Sequence, residues 1–111
     1  MSADAALAPL RAQLDAIDEH LLVLLRERLD CCVAIAEVKR RIGVPMMQPH
    51  RIEGAMQRAV RFGAEHDISS QFLCRLFTLI IDETCRVEDI VIARATDADA
   101  RPDKEQECEP C

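Results

Sequence analysis

LAPLRAQLDAIDEHLLVLLRERLDCCVAIAEVK, residues 7–39, is the stretch that decides the fold. Leu7, Leu10, Leu14, Ile17, Leu21 and Leu24 recur at alternating steps of three and four residues, the spacing of one apolar stripe along a packed helix. Pro9 falls in a first turn, where its missing N–H is tolerated, and neither Pro nor Gly intervenes between it and Gly43. The pattern predicts a helix from about Ala5 to Arg41, roughly 50 Å long at 1.5 Å per residue. A helix of that length cannot fold back on itself within so small a domain.

Outward from this helix the punctuation is clear. Gly43–Pro49 reads as a loop, with Gln48 as N-cap and Pro49 in the first turn of a second helix that ends near His66. Ser69 or Ser70 caps a third helix whose apolar stripe is Phe72, Leu73, Leu76, Phe77, Ile80, Thr84, Val87 and Val91. After about Ala95 the composition turns to Asp, Glu, Pro and Lys. The expectation is therefore an all-α domain of three helices over residues 1–95 and an acidic, disordered tail over residues 96–111. At 111 residues the chain holds one domain, small enough that oligomerisation would help to stabilise it.

Composition excludes several function classes. The net charge of −6 is mostly carried by Asp97, Asp99, Asp103, Glu105, Glu107 and Glu109 in the tail, against Arg101 and Lys104. A near-neutral body with three Phe and no Trp or Tyr speaks against nucleic-acid binding, which needs a basic surface and usually stacking platforms. No apolar run approaches a membrane span and nothing at the N-terminus reads as a secretory signal, so a cytoplasmic protein is expected. Cys31, Cys32, Cys74 and Cys85 lie in helical patterns, where a small buried apolar side chain is the ordinary reading. Cys108 and Cys111 form a single CxxC, weak grounds for zinc, and no metal site is expected.

The chemistry lies where the stripe breaks. The next core position after Leu24 is Arg28; Cys31, Ile35 and Val38 resume the stripe, and Lys39 follows. Arg28 and Lys39 are three helical turns apart and point the same way. Two buried cations cost several kcal/mol unless anions answer them. A structural ion pair with Glu88 is one answer. Two cations facing Thr84 and Glu88, one turn apart on the third helix, look more like a pocket for a small dianion. Arg11 lies about 25 Å before Arg28 along the axis, so one straight helix cannot bring both to one ligand. Antiparallel pairing of two first helices can, in a C2 homodimer with two shared sites.

The pattern L-R-x-x-L-D-x-I-D-x-x-L-L-x-L-L-x-x-R from Leu10 to Arg28, followed by Lys39, P-x-R at Pro49–Arg51 and R-L-F-x-L-I-I at Arg75–Ile81, resembles the all-α chorismate mutase family. The likeness spans about residues 7–92. It implies an intertwined helical homodimer that rearranges an enolpyruvyl ether without cofactor, nucleophile or metal. By position, Arg28 and the Arg11 of the partner subunit would bind the substrate carboxylates, and Lys39 would hydrogen-bond the ether oxygen and a carboxylate. Thr84 stands where the family often has Ser near a carboxylate, and Glu88 where a second ether-oxygen donor, frequently Gln, is found. Arg51 would add positive potential.

Two positions depart from the family. Gln48 and Ile52 stand where Asp and Glu typically meet the C4 hydroxyl, and Ile52 cannot accept that bond. The stretch from Val44 to Ile52, with Cys85–Asp89, is similar to a subgroup that converts 4-amino-4-deoxychorismate to 4-amino-4-deoxyprephenate for aminophenylalanine-derived antibiotics. Chorismate itself is the alternative substrate. An isochorismate–pyruvate lyase and a non-catalytic helical dimer are the others, the last disfavoured by the cations it would not need.

Overall fold

A computed structural model describes residues 2–45 and 49–98, with side chains from Ser2 to Pro45 and from Arg51 to Arg94. It consists of three helices: α1 (Ala3–Ile42), α2 (Pro49–His66) and α3 (Ser70–Ala98). The all-α reading is borne out, and no strand occurs among the described residues. The expected N-cap at Gln48 and the tail beyond Ala98 lie outside them.

Each boundary has a local cause. Ser2 Oγ accepts a hydrogen bond from the Ala5 N–H, starting α1 two residues earlier than expected. Pro9 therefore sits past the first turn, and the helix continues without its N–H. At the other end Gly43 takes a left-handed φ of 77°, and the Val44 N–H bonds the Lys39 carbonyl at 3.0 Å. This is a Schellman closure, which glycine adopts without steric cost.

The turn from α2 to α3 repeats that closure with Asp67 in the left-handed position, φ 61°, and the Ile68 N–H on the Gly63 carbonyl at 2.9 Å. Ser69 Oγ then accepts from the Phe72 N–H and caps α3. Gly63 is needed for this turn. A Cβ there would lie 2.6 Å from the Ile68 carbonyl oxygen and 2.7 Å from Leu73 Cδ1. Gly63→Ala gains about 1 kcal/mol of helix propensity. The overpacking of a backbone oxygen costs about 1–3 kcal/mol and should win. The expected result is a lower Tm in thermal denaturation; an unchanged or raised Tm would show that the turn relaxes freely.

The chain divides into two compact units within α1, Met1–Cys31 and Cys32–Cys111. The first is a helical segment whose stripe from Leu7 to Leu24 is exposed along its whole length. The second holds the end of α1 together with α2 and α3. Its buried positions are Ala36, Ala59, Leu73, Ile81 and Cys85, joined by two polar residues, Thr84 and Glu88. α3 runs to Ala98, past the expected end near Ala95, because its helical hydrogen bonding persists into the acidic residues. Among the described residues no helix is long and apolar enough to cross a membrane.

Candidate active site

Thr84 and Glu88 lie one turn apart on α3, 8% and 9% exposed. Thr84 is satisfied within the fold: its hydroxyl donates to the Ile80 carbonyl at 3.0 Å and accepts from the Cys32 thiol at 4.0 Å. Lys39, half-buried near the end of α1, acts on Glu88 from across this unit. The second unit thus brings Lys39, Thr84 and Glu88 to one polar locus in an otherwise apolar core.

Glu88 is held up in pKa. Burial raises it most; the Lys39 ammonium pulls it back down, and neighbouring Asp89 raises it further. A carboxyl donates a hydrogen bond only while protonated, and the upward shift widens the pH range over which Glu88 can do so. Lys39 is a charged donor, and Glu88 is a donor while it is protonated. Among the described residues no group of His, Cys, Asp and Glu could hold a metal ion.

Arg28 and Arg11 belong to the first unit. Arg28 is half-buried, and Arg11 is exposed, with its guanidinium 3.6 Å from Asp4. Arg51 is exposed near the start of α2 and Ile52 is half-buried beside it. Gln48 lies outside the described residues. Arg28 and Lys39 were expected to be buried; within one chain they are half-buried.

Two further expectations are corrected. Cys31, Ile35 and Val38, read as the resumed apolar stripe, are exposed, whereas Ala36 is fully buried and Cys32 partly so. Cys85 is buried as expected but disulfide-bonded, while Cys31 and Cys74 are free thiols. Periodicity reports the burial of a sulfur and not its bonding. Cys32 is also the site neighbour that sequence reading missed, although its place four residues after Arg28 and seven before Lys39 was a signal.

Comparison with known proteins bears on this locus. The family model for chorismate mutase type II matches residues 10–89. A 4-amino-4-deoxychorismate mutase of Streptomyces venezuelae is 51% identical over 85 residues, which cover 77% of this chain and 82% of that protein. One of Streptomyces pristinaespiralis is 54% identical over 84 residues, covering 76% of this chain and 65% of the relative. A chorismate mutase of Methanocaldococcus jannaschii is 29% identical over 76 residues, covering 68% and 77%.

Proposed function

The chain belongs to the chorismate mutase type II family, and from that premise we propose that it is an isomerase converting 4-amino-4-deoxychorismate to 4-amino-4-deoxyprephenate. The observation that carries the substrate is the identity of 51–54% to two mutases of that name, against 29% to a chorismate mutase. Ile52 by itself does not choose between the substrates, because a hydrocarbon side chain accepts a bond from neither a C4 hydroxyl nor a C4 ammonium.

The reaction is a [3,3] rearrangement. The ether C–O bond breaks as a carbon–carbon bond forms, electrons shift within one ring of six atoms, and negative charge grows on the departing oxygen. No proton need be lost. The protein's part is to hold the reactive conformer and to place donors at that oxygen. Lys39 supplies a charged donor and the protonated Glu88 a neutral one. Thr84 and the guanidinium of Arg28 take the carboxylates, joined by Arg11 of the partner subunit in a homodimer, and Arg51 adds positive potential. A Gln48 carbonyl or His50 is the acceptor left for the C4 ammonium. The exposed leucine stripe of α1 supports the dimer, since a soluble monomer rarely leaves such a stripe to water.

The test is to incubate the purified protein separately with 4-amino-4-deoxychorismate, chorismate and isochorismate and to identify the products by mass spectrometry. Preferential turnover of the amino substrate supports the reading. Preference for chorismate overturns it, and pyruvate release from isochorismate favours the lyase.

The raised pKa of Glu88 sets a pH dependence. Glu88 donates only while protonated, so activity falls as pH rises through its elevated folded pKa. Glu88→Gln carries a permanent donor. It should stay active and lose the alkaline decline, read from kcat against pH. An inactive Glu88→Gln variant with intact helical circular dichroism contradicts this role.

A further inference from the structure

We propose that the second unit carries, between α1 and α3, a binding site for a small monocarboxylate with an apolar body, separate from the locus of Lys39, Thr84 and Glu88. A cavity of about 390 Å³ lies there. Its hydrocarbon lining is Val33 from α1 with Val87, Ile90 and Val91 from α3, and its charged groups are Glu37, Arg40 and Arg94. The volume lies in the range of small-molecule sites, whose usual lining is apolar with a few polar groups that fix orientation. The three valines are half-buried, whereas Glu37, Arg40 and Arg94 are exposed. An apolar body thus lies against the valines with its charge outward, at the guanidiniums. Around α1, Val33, Glu37 and Arg40 share one side, roughly 120° from Lys39 at 3.6 residues per turn. On α3 the cavity residues lie roughly 90° round from Thr84 and Glu88. Ile35 and Val38, exposed on α1, are roughly 160° away, so pairing of chains through that face leaves the cavity open.

The charges select the ligand. Two guanidiniums against one carboxylate leave the lining with one net positive charge. None of the three groups is in an ion pair among the described residues. A guanidinium presents parallel N–H donors that match the two oxygens of a carboxylate. One such anion neutralises the lining, and Glu37 repels a second negative charge. The acidic tail of the chain is a poor occupant, because residues 99–111 hold no apolar side chain larger than proline or cysteine to cover the valines. An aryl or branched alkyl carboxylate uses both halves of the site.

The test is a titration of the full chain with 3-phenylpropionate, followed by the NMR shifts of side-chain methyl groups. Those of Val33, Val87, Ile90 and Val91 should move together, with a Kd on the order of 1 mM for a small ligand at an open site. Arg40→Gln and Arg94→Gln should each weaken binding about fivefold, the effect of one charge-assisted bond lost at an exposed position. Acetate lacks the apolar body and 3-phenylpropanol lacks the charge, so each should bind about tenfold more weakly than 3-phenylpropionate. Lys39→Met should bind 3-phenylpropionate as the wild type does, which separates this site from the substrate locus. Shifts confined to the surroundings of Thr84 and Glu88, or an affinity lost with Lys39, overturn the proposal. So do indifference to both arginine substitutions, acetate binding as tightly as 3-phenylpropionate, and the absence of a saturable shift. The outcome does not depend on which enolpyruvyl ether the chain turns over, so either reading can fail without the other.

Discussion

Lys39→Met is expected to lower kcat by about 10²–10³-fold, the usual cost of losing one preorganised donor to a developing oxyanion. Methionine fills much of the same space without charge, so no unpaired group is left beside Glu88. The loss should appear in kcat more than in KM, because charge on the ether oxygen exists only in the transition state. A variant that raised KM alone would assign Lys39 to ground-state carboxylate binding and remove it from the chemistry.

The same substitution carries a second expectation. Burial is the chief cause of the raised Glu88 pKa, and the Lys39 charge opposes it. Removing that charge leaves the carboxyl protonated to still higher pH, so the alkaline decline of the residual activity should move upward. An alkaline limb that stayed in place would mean that another group sets it. Folding should be checked by circular dichroism and Tm. A half-buried lysine replaced by methionine has no cavity, strain or lost cap to destabilise the fold.

The parts of this fold that were legible in sequence are those governed by local rules. Three helices followed from period and caps, and Ser69 was found because a serine before an apolar run satisfies orphan N–H groups. Thr84 and Glu88 were legible because polar residues on an apolar stripe must be answered by something. The turn at Asp67 was less visible, because the left-handed position is held by an aspartate and the close approach falls four residues earlier, at Gly63. The register of α1 in the second unit was misread for a tertiary reason. Which of Cys31 or Cys32 turns inward depends on where α3 lies, and the leucines from Leu7 to Leu24 carry no information about α3. The elevation of Glu88 was foreseeable in direction, since desolvation always disfavours the charged carboxylate.

Pairing of two chains should be necessary for turnover, and two glutamates are expected to abolish both. Leu7, Leu10, Leu14, Ile17, Leu21 and Leu24 are between 40% and 61% exposed in one chain. Fully burying a leucine side chain is worth about 1.5–3 kcal/mol, so covering the exposed part of one gains about 1 kcal/mol. In a C2 dimer each position counts twice. Leu14→Glu with Leu21→Glu therefore removes about 4 kcal/mol, a roughly 10³-fold weaker association, before repulsion between the new carboxylates is added. Sedimentation should show a monomer where the parent is a dimer, with turnover lost alongside. Retained activity in a proven monomer would sink the shared site. A sharper version mixes two inactive variants, Arg11→Ala and Lys39→Met, and lets the chains exchange. If each site takes Arg11 from one chain and Lys39 from the other, a heterodimer contains one intact site and one doubly defective site. Random exchange should then restore about a quarter of the wild-type activity. Recovery of none would place Arg11 and Lys39 in the same chain's site or remove Arg11 from it altogether.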